Sequence, residues 1–505
     1  MDLDPVLSGL GVAVEPQNLA YCLLGVTLGM LIGVLPGLGP AATIAILLPI
    51  TYSIEPAPAI IMLAGIFYGA QYGGTITSVL LRLPGEASTA VTVIDGYQMA
   101  RQGRAGPALG IAAISSFVGG TAAIVLLTLV APLVADLALE FGPPEYAVLT
   151  LIGIFLVATL GTGRLSKSVA AAGAGLLLAT VGLDPLDGTQ RFTFGSDQLA
   201  DGIDFVIVAM GLFGVGEILY NLEHRNRPQP AVAKFGRALP GRLDMIAARL
   251  AILRGSVVGF VLGVLPGGGA TMSSLVAYTV EKRSAKDRSR FGRGAIEGVA
   301  GPESANNAAA TSSFIPLLTL GIPANATMAV LYGALLLQGI PPGPNLINDH
   351  PDVFWGVVNS MYLGNILLLL LSIPLIGLFI RVLKVRPGIL APLTILITMI
   401  GVYSIRNNTF DMFLVVGLGV IGYGMKKLGF EPGPFVLAFV LGRLLEASFR
   451  RSMRLFDGDL LGFFQRPLSA SLAALFILLA VAVPALRMLR ARQGSSSEVP
   501  AAESR

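Results

Sequence analysis

Apolar runs long enough to cross a bilayer recur along the whole chain, and they constrain its fold more than any single motif. From Asn18 to Ile50 there is no charged side chain, and similar runs follow almost to the C-terminal tail. A spanning helix needs about 20 apolar residues, so the chain has room for about ten to fourteen membrane segments. Its charged share is 13%, against about 25% in a soluble domain, too little to coat a globule with polar groups. The expected fold is an all-α polytopic membrane bundle.

The charges that remain sit in a few loops, where they report topology before they report an anionic partner. Arg283, Lys286, Arg288, Arg290 and Arg293 would resemble a nucleic-acid patch, but apolar segments flank them on both sides. Nucleic acid is therefore not an expected partner; the lipid bilayer is. Cys22 is the only cysteine, and the two histidines, His224 and His350, lie in polar connections. A disulfide framework, a thiolate or paired-histidine metal site and a serine–histidine triad all lack material. The first apolar stretch follows Asp2, Asp4 and Glu15 rather than basic residues, and reads as mature protein instead of a cleaved signal.

The chain also repeats itself. Gly29–Gly39 reads GMLIGVLPGLG and Gly259–Gly269 reads GFVLGVLPGGG, identical at seven of eleven positions with a shift of 230 residues. Each copy is followed by a second segment with a Gly- or Asn-rich stretch, Tyr68–Thr89 and Asn307–Met328, in which Pro84 matches Pro323. These stretches read as interruptions, so each repeat is expected to hold a discontinuous helix. No Lys or Arg precedes Arg82, whereas the second LPG segment lies between Arg225–Arg254 and Lys282–Arg293, both rich in basic residues. Equivalent flanks with opposite charge bias imply opposite orientation, hence inverted-topology repeats. Within each copy both flanks carry the same bias, as expected for a re-entrant hairpin with the Pro-Gly turn at its tip.

The domain reading follows: residues 1–222 form the first repeat and 223–254 a cytoplasmic inter-repeat loop. Residues 255–486 form the second repeat with the C-terminal helices, and 487–505 a short cytoplasmic or disordered tail. Basic residues place 82–104, 282–293, 381–386 and 426–427 inside. The acidic stretch Asp184–Asp201 is placed outside, while Arg450, Arg451 and Arg454 fit no consistent crossing.

Inverted repeats with broken helices are a signature of secondary transporters, in which half-helix N-termini face anionic groups and freed carbonyls hold cations. The polar run Pro302–Asn307 makes Ser304, Asn306 and Asn307 candidate substrate ligands, since asparagine supplies donors and acceptors without an intramembrane charge. The matching turns add Ser88, Thr89, Asn325 and Thr327. Backbone at Gly37, Gly39, Gly267 and Gly269, with Thr75, is the candidate ion site. Packing between helices is the competing role for the 304–307 group, and helix capping for the turns. Glu303 is the first candidate for a proton-coupling carboxylate, ahead of Glu86 and Asp95. Residues 19–104 and 255–345 are expected to move against a scaffold that includes 105–135 and 352–380, an elevator-like division.

Several long motifs carry a resemblance. They are GVLPGLGPAATIAILLP (33–49), FYGAQYGGTITSVLLRLPGE (67–86), DGYQMARQG (95–103), FGRGAIEGVAGPESANNAAA (291–310), GIPANATMAVLYGALLLQGIPPGPNL (321–346) and FEPGPFVLAFVLGRLLE (430–446). Together they resemble the large permease subunit of the tripartite tricarboxylate transporter family over nearly the whole chain. One departure is Ala324, where the family usually has glycine. The resemblance implies a bacterial inner-membrane permease that works with a small membrane subunit and a periplasmic solute-binding protein. It also implies ion-gradient-driven uptake of di- or tricarboxylates such as citrate, sodium being the usual ion, with no ATP hydrolysis; no Walker motif occurs here. No cofactor is expected beyond the coupling sodium or proton. The alternatives are a stand-alone carboxylate symporter, a membrane enzyme, which would need a catalytic dyad or metal cluster, and a channel, which would need a continuous polar pore.

Overall fold

The computed structural model describes residues 4–35, 39–160, 164–184, 187–223, 239–372, 374–382 and 387–495. Gly37, residues 224–238 of the inter-repeat loop, His224 among them, and the end of the tail lie outside them. The first half comprises helices α1 (Asp4–Val14), α2 (Pro16–Gly33), α3 (Pro40–Thr51), α4 (Pro56–Leu81), α5 (Thr92–Arg101), α6 (Ala105–Leu139), α7 (Pro143–Leu160) and α8 (Leu165–Ala179). A helical run with a π-type turn follows, α9 (Phe205–Ala209) leading through Met210–Val215 into α10 (Gly216–Glu223). The second half holds α11 (Arg242–Val264), α12 (Gly269–Ser284), α13 (Glu297–Ser312), α14 (Phe314–Leu320), α15 (Ala326–Leu337), α16 (Leu346–Asp349), α17 (Pro351–Ser372), α18 (Ile376–Val382), α19 (Pro387–Arg406), α20 (Thr409–Lys427), α21 (Pro432–Leu455) and α22 (Pro467–Ser495). Eight helices among the described residues are long and apolar enough to cross a membrane, and several shorter apolar ones accompany them.

Sequence sets many of the starts. Proline opens α2, α3, α4 and α21, where its missing N–H would have no helical partner anyway. Leu250, Leu253, Val257 and Val261 form an exposed apolar stripe on α11 at helical spacing, a face suited to lipid. At the centre lies α4, buried along nearly its whole length.

Two helix crossings hold this centre, and small residues set both. Gly25, Gly29 and Gly33 of α2 face α4 so closely that a Cβ would stand 2.2, 2.4 and 2.4 Å from the carbonyl oxygens of Met62, Ile66 and Ala70. Gly255, Gly259 and Gly263 of α11 meet α13 in the same way, 2.3, 2.3 and 2.4 Å from the oxygens of Gly301, Ala305 and Ala309. Close backbone approach of this kind is how membrane helices gain packing energy without a hydrophobic drive. The offsets are constant, 230 residues on one helix and 239 on the other. The second offset also relates the left-handed residues after α4 and α14, Arg82 at φ +58° and Gly321 at φ +67°.

The expected interruptions are not breaks. Helix α4 runs unbroken through Gly69–Gly74, and α13 runs unbroken through Pro302–Asn307. Gly69 and Gly73 are spent on the crossing with α2, where an added Cβ would meet the oxygens of Val26 and Met30 at 2.6 and 2.4 Å. Pro302 removes only one rung of the ladder near the start of its helix. The discontinuity falls later, at Ser313 between α13 and α14.

Ion pairs tie the loops into two groups. Arg104 pairs with Asp244 at 2.6 Å, Gln102 donates to the Arg293 carbonyl, Lys427 pairs with Glu223 at 2.8 Å and Lys426 with Glu217. At the far end of α21, 24 residues and so about 36 Å long, Arg450 pairs with Asp184 and Asp187 at 2.5 Å each. Arg191 pairs there with Glu446 at 2.6 Å and Arg454 with Asp187 at 3.3 Å. Two of the three arginines that fit no crossing by charge bias, Arg450 and Arg454, are thus held by Asp184 and Asp187.

Candidate binding site

The second LPG turn, Leu265–Gly268, joins α11 to α12 and reaches the turn before α15. The Gly267 N–H donates to the Ala324 carbonyl at 2.8 Å. Gly267 has φ +79°, and a Cβ there would stand 2.7 Å from the Leu156 carbonyl of α7, so glycine is required twice over. Ala324 is not among the non-glycine residues of positive φ, which explains how alanine is accommodated where the family usually has glycine.

Beside this contact lies a cavity of about 290 Å³. Gly267, Gly268, Gly269, Ala270, Thr271 and Met272 line one side, and Ala324, Asn325, Ala326 and Thr327 another. Phe67 and Gln71 of α4, Glu86 and Ala87 of the following turn, Val157 of α7 and the start of α21 close it. The N-termini of α12 and α15 therefore open onto one space, bringing free backbone N–H groups and positive dipole ends. Asn325 caps α15, its Oδ1 accepting from the Met328 N–H at 3.0 Å. On the opposite wall Gln71 Nε2 reaches Glu86 Oε1 at 3.4 Å, and Ser88 Oγ donates to Gln71 Oε1 at 3.0 Å. Glu86 Oε2 is buried without a hydrogen-bond partner.

The residues singled out from sequence divide accordingly. Gly267, Gly269, Asn325 and Thr327 line the cavity. Ser88 and Thr89 stand behind its wall. Thr89 Oγ1 donates to the Glu86 carbonyl at 2.9 Å and accepts from Ser78. Gly39 caps α3 with open space around it. Ser304 is spent on packing, hydrogen-bonded to Ser256 Oγ and the Ile252 carbonyl at 2.8 Å each. Asn307 Nδ2 donates to Ser116 Oγ at 2.7 Å and to the Glu303 carbonyl at 3.1 Å. Thr75 donates to Glu303 Oε2 at 2.8 Å. Asn306 is fully buried with both amide atoms unpartnered. None of Thr75, Ser304, Asn306 and Asn307 lines the cavity.

Asp95 has another occupation. Its Oδ1 accepts from the N–H groups of Gly292, Gly294 and Ala295 at 2.8, 2.8 and 2.9 Å, and its Oδ2 accepts from Tyr278 Oη at 2.9 Å. Gly292 and Gly294 sit at φ +84° and +98°, so the loop before α13 is wound around this carboxylate. Asp95 is a clamp, which argues against a proton-carrying role. Gln71 and Thr271 had no assigned part in the sequence reading. They fall inside or just after the motifs, and only the fold brings positions 71 and 271 to one cavity.

Paired helix ends facing one cavity inside a bundle of apolar helices fit a membrane transport protein. Residues 19–437 match the Tripartite tricarboxylate transporter TctA family, and the chain belongs to that family. It is accordingly a multi-pass protein of the inner membrane, and the family implies tricarboxylate transport together with a binding protein and a small membrane subunit. Two relatives come from Agrobacterium vitis. The uncharacterized 52.8 kDa protein in the TAR-I ttuC' 3' region is 49% identical over 475 residues, 94% of this chain and 95% of that protein. The uncharacterized protein in the TAR-II ttuC' 3' region is 49% identical over 234 residues, 46% of this chain and 97% of that protein. No solved structure matches the chain.

Proposed function

We propose that this permease imports a di- or tricarboxylate delivered by a periplasmic binding protein, driven by an ion gradient, with sodium as the first candidate ion. The observation that carries the reading is the convergence of the α12 and α15 N-termini on one cavity, fixed by the Gly267–Ala324 hydrogen bond. Backbone N–H groups of both helices, with Thr271 and Thr327, offer donors for carboxylate oxygens. The unpartnered Glu86 oxygen offers an acceptor for a hydroxyl or protonated carboxyl of the solute. Inverted repeats with LPG hairpins remain part of this proposal, supported by the constant 230 and 239 offsets of the two glycine crossings. So does the division into a moving part and a scaffold. Its boundary would pass between α13 and α6, where Gly119 lets the helices touch at the Ser304 carbonyl.

The test is uptake of labelled citrate, and of succinate, by cells producing the permease with its two partner components. Thr327→Val removes one donor, and a hydrogen bond to a charged group contributes about 1.5–3 kcal/mol. The half-saturation should rise roughly ten- to a hundredfold while the amount of inserted protein stays constant. Asn325→Ala should act in the same direction by loosening the start of α15. Unchanged half-saturation in both variants would remove the cavity from the transport path. Uptake that persists without the binding protein would favour a stand-alone symporter.

A further inference from the structure

Glu303 is fully buried on α13, and every partner it has is neutral. Thr92 Oγ1 of α5 donates to Oε1 at 2.5 Å, Thr75 Oγ1 of α4 donates to Oε2 at 2.8 Å, and the Ser116 hydroxyl of α6 joins them. Because Asn307 Nδ2 donates to Ser116 Oγ, the Ser116 proton is left to point at the carboxylate. Donors from three other helices thus converge on a negative charge that has no cation among the described residues. The charged groups on the neighbouring helices are committed elsewhere: Asp95 to its loop, and Glu281 of α12 to Arg254 of α11 at 2.6 Å. Glu86, beyond Gln71, brings a further negative charge rather than a positive one.

An unpaired carboxylate in such surroundings is costly, and hydroxyls alone do not remove its charge. Asn306 is a second and independent sign that something binds here. It stands three residues along the same helix, hence on the same face as Glu303. Its side chain is 0% exposed, yet both amide atoms lack hydrogen-bond partners. A carboxylate, three hydroxyls and an amide carbonyl make an all-oxygen donor set suited to a hard cation. They also stand where α4, α5 and α13 meet α6, so neutralising Glu303 would change the attraction across that boundary.

We propose that Glu303, with Thr75, Thr92, Ser116 and Asn306, forms a site for one small cation, a sodium ion or a proton, apart from the solute cavity. The proposal rests on the transport reading for its role as the coupling site, though not for its occupancy.

The experiment is thermal unfolding of the purified full-length permease in detergent. One arm titrates sodium against choline at fixed pH and ionic strength; the other varies pH without sodium. A ligand that binds only the folded form raises the melting temperature with concentration. A sodium-dependent rise identifies sodium, and a rise on acidification alone identifies the proton. Either response should vanish in Glu303→Gln, which keeps the shape, discards the charge and already stands at the stabilised plateau. Thr75→Ala and Thr92→Val should keep the response but shift its midpoint by roughly tenfold. A wild-type protein indifferent to both ions overturns the proposal, and so does a Glu303→Gln protein that still responds. If Glu303→Gln fails to fold, unmoved midpoints in the two threonine variants overturn it instead. An intact cation response with no carboxylate uptake under any condition would sink the transport reading alone and leave the site standing.

Discussion

A single methyl group is enough to test the two glycine crossings. Gly29→Ala and Gly259→Ala would place a Cβ 2.4 and 2.3 Å from backbone oxygens of the facing helix, and backbone cannot swing aside as a side-chain tip can. Each should destabilise by about 1–3 kcal/mol, the usual cost of overpacking. Gly11→Ala has nothing within 4 Å and should be neutral or stabilising by up to about 1 kcal/mol. Melting temperatures in detergent check this, and equal effects at all three positions would refute the crossings. Gly29 and Gly259 stand at matching positions of the two LPG stretches in the sequence, which does not say what they face. Gly69 and Gly73, with Gly74 beside them, look like a break, because sequence alone does not reveal the facing α2 that needs the missing side chains of the first two. The polar run at 304–307 was ambiguous for the same reason. Ser304 found Ser256, and Asn307 found Ser116, partners 48 and 191 residues away.

At the scale of elements, the acidic 184–191 loop and the end of α21 hold each other. Arg450→Ala should lower the melting temperature only slightly, since the guanidinium is solvated and the network retains Arg191. The effect should shrink in high salt, as screening requires. A loss of the same size in 0.05 M and 1 M salt would mean that packing, and not charge, is the bond. Charge counting placed the loop outside the membrane and had no means of pairing it with α21. The turns at 84–89 and 323–327 were readable as a matched pair, because proline and N-capping residues mark helix starts locally. That the second turn would meet the LPG backbone was not readable, since a hydrogen bond between Gly267 and Ala324 leaves no trace in composition or spacing.

Across the whole molecule, the proposed division between a moving part and a scaffold passes between α13 and α6, among other contacts. Ser116 and Asn307 approach within 2.7 Å across it, so cysteines at both positions of a Cys22-free protein should form a disulfide. Oxidation should stop citrate uptake and leave capture by the binding protein intact; reduction should restore whatever rate the reduced variant shows. Undiminished uptake in fully oxidised protein would show that these helices never part. The Asp95 clamp adds a constraint of a different kind. It anchors residues 292–295 just before α13, and Glu303 stands eight residues beyond its last contact. Each residue of an α-helix turns the next by about 100°. One residue inserted or deleted between 296 and 302 would therefore swing Glu303 away from Thr75 and Thr92 while leaving every side chain chemically unchanged. Over that short stretch chain length is a form of information, and natural variants should substitute residues there freely more often than they add or lose one.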